Sequence, residues 1–266
     1  MTSSRLSTIK LFALLGIVLL AAFLRLYQID TIPPGDRYDP AYYGVDALQI
    51  LDGARPIFLP TNFGREALFS YLVALAILVL GAVPQAMYVT SAVVGILTVL
   101  AVYLLAEELF ATEEGALARF GGLVAALATA LSFWHLNWSR FGVRAILVPL
   151  FAALTFFLLW RALRTNTRWL FVAAGVFLGL GAYTYQVARL YPLLVVLAIL
   201  YYTLSRGRFT RRDLGNLLIV GLVALVVFVP LGYYFATHPG SFFQRVEQTA
   251  IISAENDLAG NCLLYT

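Results

Sequence analysis

Only one cysteine, Cys262, occurs in 266 residues, which excludes an internal disulfide and any cysteine metal cluster. Histidine is almost as scarce, with two residues, His135 and His238, far apart in the chain. There is no HExxH pair, no GxSxG elbow and no P-loop, so zinc proteolysis and ATP-driven transport by this chain are disfavoured. Charge is also scarce, at 12% of residues against roughly 25% in a soluble domain. What fills the chain instead is apolar: 61% hydrophobic residues and a mean hydropathy of +0.85.

The apolar residues come as long runs near 9–27, 67–83, 88–106, 118–134, 146–160, 169–187, 190–204 and 214–235. Runs approaching 20 residues predict transmembrane helices. They are continuous and do not alternate, which favours helices over a barrel. The predicted fold is an all-α polytopic bundle. Arg5 and Lys10 precede a first run that reaches Leu26 with no small-x-small site after it, so it reads as an uncleaved anchor and not a signal peptide.

The net charge of +4 comes from arginines clustered in short loops. One loop holds Arg161, Arg164 and Arg168, another Arg206, Arg208, Arg211 and Arg212. This pattern orients a membrane protein and does not resemble a nucleic-acid surface. Positive-inside puts both loops and the N-terminus in the cytoplasm. Parity then requires one run between 67 and 160 not to cross. The run at 67–83 is the weakest, at about the minimum length for a span, with Ser70 and Tyr71 near its start and Gly81 and Pro84 closing it, so it is assigned to an interfacial or re-entrant helix. Seven spans result, with a large first outer loop at 28–87 containing short interfacial helices. Residues 135–145, the turn at 186–190 and the tail after 235 share that outer side.

The first loop is a polar island carrying Asp30, Asp36, Arg37, Asp39, Asp46, Asp52, Arg55, Arg65 and Glu66. Asp39-Pro40 opens a short predicted helix, with Asp39 as N-cap, Pro40 as first residue and Gly53 as stop. The spacing places Val45, Leu48 and Leu51 on one face of it. Elsewhere on the outer side, Arg140 and Arg144 are four apart where arginine should be rare, which suits either anion binding or headgroup contact. Arg189 sits in a tight turn beside Tyr185 and Tyr191. It suits either snorkelling to lipid headgroups or a bidentate grip on phosphate. His135 reads as an interface residue, and His238 as a turn residue.

Several segments together resemble a known family. The chain has Phe23-Leu24-Arg25-Leu26 at the end of the first run and a loop opening Pro33-Pro34-Gly35. GREALFSYLVALAILVLG follows at 64–81, SFWHLNWSRFGVRAILVPLF at 132–151 and GLGAYTYQVARLYPL at 179–193. In this order they resemble the membrane half of C-type glycosyltransferases, nearest to bacterial relatives of the protein O-mannosyltransferases and the aminoarabinose lipid A transferases. The resemblance implies an inverting enzyme of the bacterial plasma membrane with its active face outside. Such an enzyme moves a sugar from a polyprenyl-phosphate donor to a hydroxyl on a lipid, glycan or protein.

The family's catalytic base is an Asp of the first outer loop, which matches Asp39. The usual following Glu, to which the family gives a metal or acceptor role, is replaced here by Pro40; the resemblance assigns no definite cofactor and is compatible with a divalent metal. Candidate substrate-binding residues are Arg65, Glu66, Arg140, Arg144, Arg189, Tyr185 and Asp46. Family members continue with further spans and often a C-terminal domain, so residues 1–266 are read as one partial membrane domain. The alternatives are a flippase or transporter component, which would need ionisable groups inside the spans, or an inactive fragment.

Overall fold

The computed structural model describes residues 3–32, 38–62, 64–111, 113–205, 207 and 210–243. The Pro33-Pro34-Gly35 opening, Asp36, Arg37, Arg206, Arg208, Gln244, Arg245 and Cys262 lie outside the described residues. The fold is an all-α polytopic bundle with one small β-hairpin. In chain order the helices are α1 (Ser3–Leu26), α2 (Tyr38–Leu51), α3 (Leu68–Leu80), α4 (Gln85–Leu109), α5 (Gly115–Leu131), α6 (Phe133–Trp138), α7 (Leu147–Thr165), α8 (Arg168–Gly181), α9 (Tyr191–Ser205) and α10 (Arg211–Thr237). Short 3₁₀ turns at Arg144–Ile146 and Gln186–Leu190 lead into α7 and α9.

Among the described residues five helical segments are long and apolar enough to cross a membrane: Ser7–Leu26, Gln85–Leu109, Arg144–Thr165, Gln186–Ser205 and Arg211–Thr237. Two of the seven predicted spans are shorter than expected, because α5 has 17 residues and α8 has 14. Ser132 ends α5 in a non-helical conformation and caps α6, its hydroxyl accepting from the His135 N–H. Beyond Gly181 the chain runs on as turns into the 3₁₀ segment. The outer surfaces of α1 and α10 expose Leu11, Phe12, Leu19, Leu222, Leu225 and Val226. Such a surface is stable only against lipid or another apolar partner.

Packing falls into two large cores. One joins α2, α3, α4 and the first half of α7 through Tyr43, Ala47, Phe69, Val73, Met87 and Leu147. The other joins the second half of α7 to α8, α9 and α10 through Leu159, Phe171, Leu178, Val195 and Val220. Gly175 and Gly179 set the close crossing of α8 on α10. A Cβ at either would come within 2.8 Å of the α10 backbone, at the Val220 and Ala224 carbonyls. This is the small-xxx-small device by which membrane helices approach.

The two ends of the bundle are distinct. At one end, Lys10 meets Glu107 at 2.9 Å, and Arg164 and Arg161 meet Glu108 at 2.5 and 3.7 Å. The start of α1 and the ends of α4 and α7 therefore lie together. Also in the described residues, α10 opens with a Thr210–Asp213 capping box, which satisfies two orphan N–H groups reciprocally.

The other end carries the first loop, the 135–145 segment, the 186–190 turn and the end of α10. Helix α3 packs with α2 and α4 in the first of the two cores. Its first turn sits beside α2, with Ser70 Oγ donating to Asp46 at 3.4 Å. The chain leaves α3 at Gly81 and reaches Met87, whose sulfur would lie 3.1 Å from a Cβ on Gly44 of the same α2.

The buried face of α2 is not the one that apolar spacing suggests. Tyr43, Ala47 and Ile50 are buried, whereas Val45, Leu48 and Leu51 are exposed. An amphipathic helix lying in a membrane interface carries an apolar stripe on that side.

Candidate active site

A tight hairpin builds the centre of the site. Phe58–Leu59 pairs antiparallel with Arg65–Glu66, Phe58 opposite Glu66 and Leu59 opposite Arg65. Asn62 and Gly64 adopt φ of 50° and 76°, left-handed positions that Asn tolerates and Gly adopts freely. Adjacent residues on a strand point to opposite faces, so Arg65 and Glu66 reach different partners.

Arg65 grips Asp46 with two hydrogen bonds, Nη1 to Oδ2 at 2.6 Å and Nη2 to Oδ1 at 3.2 Å. Nη2 also donates to Thr61 Oγ1 at 2.8 Å, and Nε to the Thr61 carbonyl at 3.2 Å. The guanidinium lies 5.0 and 5.4 Å from the ring centroids of Tyr42 and Tyr43. Burial pushes the Asp46 carboxyl above its usual value, with Arg65 pulling the other way. Burial likewise raises the Tyr43 hydroxyl, which feels the charges of Arg144, Asp39 and Arg65.

Glu66 turns to two other arginines. Arg189 Nη2 donates to Glu66 Oε1 at 3.2 Å, and Arg144 Nη1 stands 3.4 Å from Oε2. Arg144 Nη2 donates to the Gly64 carbonyl at 3.2 Å, and its guanidinium lies 5.1 Å from the Tyr185 ring. Arg189 also donates to the Phe242 carbonyl and stacks 4.2 Å from the Phe242 ring. Glu66 and Arg144 are each 2% exposed. Glu66 Oε2 and Arg144 Nε and Nη1 have no hydrogen-bond partner.

All four segments assigned from sequence to one side therefore supply a group here: Glu66, Arg144, Arg189 and the backbone of Phe242. Of the candidate residues, Arg65, Glu66, Asp46, Arg144, Arg189 and Tyr185 come together.

Asp39 stands at the margin. Helix α2 begins at Tyr38, so Asp39 lies inside its first turn and is not the cap. Its exposed carboxylate accepts from Asn62 Nδ2 at 2.9 Å.

Arg140 is not in the cluster. It donates to the carbonyls of Leu24 and Tyr27 at 2.6 Å, of Gln28 at 3.1 Å and of Ile32 at 2.8 and 3.0 Å. The Leu24 carbonyl is one of the last four of α1, which lack an intrahelical partner, and Tyr27, Gln28 and Ile32 belong to the turns that follow, so the guanidinium caps the helix and ties down the chain leaving it.

Sequence reasoning missed several participants. Asn62 and Ser70 donate to the carboxylates of Asp39 and Asp46, and Thr61 accepts from Arg65; ordinary polar residues give no signal of that in sequence. His135, read as an interface residue, accepts from Arg25 Nη2 through Nδ1 at 2.9 Å. Among the described residues no three His, Cys, Asp or Glu side chains group as metal ligands.

An apolar cavity of about 420 Å³ runs between α8, α9 and α10, lined by Leu178, Gly179, Gly221, Ala224 and Phe228, and ends on Arg189 and Phe242. A long hydrocarbon fits its walls, and an anion fits its charged end.

Comparison with known proteins places this architecture. The crystal structure of the apo oligosaccharyltransferase of Archaeoglobus fulgidus is similar, with a TM-score of 0.71 at 16% identity over 96% of this chain. This chain spans about a third of that protein, 34% of its length. No curated protein matches the sequence. The profile of dolichyl-phosphate-mannose-protein mannosyltransferases matches residues 67–234. That region runs from the residue after Glu66 through Arg144 and Arg189 into the last turn of α10, so this membrane chain belongs to the dolichyl-phosphate-mannose-protein mannosyltransferase family.

Proposed function

We propose that this chain is the membrane part of a glycosyltransferase that takes a sugar from a polyprenyl-phosphate carrier on the outer membrane face. The acceptor is a hydroxyl of a lipid, glycan or protein. The observation that carries this reading is the apolar groove ending on Arg189, beside the buried cluster of Glu66 and Arg144. The carrier tail lies in the groove and its phosphate meets Arg189.

Asp39 is the general base. Its carboxylate is exposed, and Asn62 fixes its direction. It takes the proton of the acceptor hydroxyl as that oxygen attacks the anomeric carbon. The bond from that carbon to the phosphate oxygen breaks, and the electron pair leaves with the carrier phosphate. One in-line displacement inverts the anomeric centre. Arg189 neutralises the charge that grows on the leaving phosphate. General-base assistance contributes roughly 10²–10⁴-fold.

A transport reading would draw on charged groups along the spans. Arg25, at the end of α1, is instead turned onto the carbonyls of Ala21, Thr129 and Ala130 and onto His135.

The test is sugar transfer from a polyprenyl-phosphate donor in membranes containing the complete protein. Asp39→Asn keeps the shape and a hydrogen-bond partner for Asn62, and it should insert normally while losing transfer by about 10²-fold or more. Wild-type transfer by that variant would remove Asp39 from the mechanism.

A further inference from the structure

The charges clustered around Arg189, which lines the groove, do not cancel. Arg65 and Asp46 neutralise each other through two hydrogen bonds. Glu66 is shared between Arg144 and Arg189, at 3.4 and 3.2 Å. Leaving aside the exposed, solvated carboxylate of Asp39 at the margin, three guanidiniums against two carboxylates leave one net positive charge among the described residues of the cluster. Nε of Arg144 is buried without a hydrogen-bond partner, and its Nη1 has only the long 3.4 Å approach to Glu66 Oε2, so the cluster retains unused donor capacity.

Charge left uncompensated in a low-dielectric site is costly. A net charge of one therefore matches an anion carrying one negative charge. A phosphodiester, the linkage in a lipid monophosphate sugar, carries one. A lipid diphosphate sugar carries two, and its second charge would face the Glu66 carboxylate behind Arg189. Without Glu66 the same pocket would present two positive charges.

We propose that Glu66 is a specificity-determining residue that tunes this site to singly charged phosphodiester donors and against diphosphate donors. This rests on the reading of the groove as the donor site. Glu66 takes no part in bond making; it sets the field that Arg189 presents.

The experiment measures binding of two soluble probes to the full chain in nanodiscs: farnesyl methyl phosphate, with one negative charge, and farnesyl methyl diphosphate, with two. Wild type should prefer the monophosphate. Glu66→Gln, nearly isosteric and one charge more positive, should tighten diphosphate binding by about tenfold or more and narrow or invert the preference. Glu66→Asp should keep the wild-type order. Where Glu66→Gln does not fold, the double variant Glu66→Gln/Arg144→Gln restores the single net charge without a buried carboxylate and must show the wild-type preference.

An unchanged ratio in folded Glu66→Gln overturns the proposal while leaving the donor site in place, as does a lost preference in the double variant. Failure of wild type to bind either probe, or full binding of both by Arg189→Gln, removes the donor site itself and the proposal with it.

Discussion

Arg65 and Asp46, nineteen residues apart in the chain, form a two-bond ion pair with 1% and 6% of their side chains exposed. Their proximity locks the hairpin onto α2 and so fixes where Glu66 points. Breaking a buried pair from one side strands a charge, at a cost of about 3–5 kcal/mol. Asp46→Asn should therefore lower the unfolding midpoint markedly, more than Asp39→Asn. Arg65→Met combined with Asp46→Leu should recover most of the loss, since an apolar pair of similar volume is often neutral. Detergent-solubilised thermal melts decide this. Equal midpoints for Asp46→Asn and wild type would show the pair contributes nothing.

Arg140 separates capping from anion binding. Arg140→Lys keeps the charge and loses the planar fork that reaches the carbonyls of Leu24, Tyr27, Gln28 and Ile32. Stability should fall by at least about 1.5 kcal/mol, one charge-assisted hydrogen bond. Binding of a farnesyl phosphate probe should be unchanged. A weaker probe affinity at unaltered stability would return Arg140 to the substrate site.

His135 gives the fold a pH dependence. Burial first, and then the charge of Arg25, push its pKa down to about 4. It is neutral in the folded protein, with Nδ1 accepting from Arg25. In the unfolded chain an imidazole titrates near pH ~6.5. A depressed value means the folded state resists protonation, so this contribution to stability is complete above ~6.5 and is lost as pH falls towards about 4. His135→Asn retains an acceptor and cannot titrate. Melting curves between those limits should be less steep in pH for this variant, and parallel curves would exclude His135 as a source.

The position of α3 is testable by labelling. Its first turn lies beside α2 and the chain returns to α2 at Met87, so a Cys262→Ser background with cysteine at Ala54 or Ala82 should react, at either site, with an impermeant maleimide added outside intact cells. Reaction of Ala82→Cys only after permeabilisation would mean that 68–80 crosses the membrane.

Much of the bundle was legible in the sequence because lipid imposes a simple rule. Backbone polar groups must bond within their own segment, so long apolar runs become helices whatever their neighbours are. The loop arginines, the Gly53 stop and the proposed interfacial nature of 67–83 follow from rules that act within a few residues or across one bilayer. Arg144 and Arg189 were legible as arginines out of place on one side, and the structure brings both to Glu66.

Tertiary structure alone decided what those residues do. The spacing marked Val45, Leu48 and Leu51 as one apolar face, and packing buried Tyr43, Ala47 and Ile50 instead, because lipid can accept an apolar face as readily as a protein core can. Arg140 and Arg144 are indistinguishable in sequence; four residues of separation turn one onto the end of α1 and the other onto Glu66. Arg189 finds Glu66 across 123 positions. Local periodicity specifies which segments are helical and which end of the bundle they reach. The partner of a charged side chain depends on how helices distant in sequence pack, and that information is carried by contacts such as Gly175 and Gly179 against α10, which no local pattern encodes.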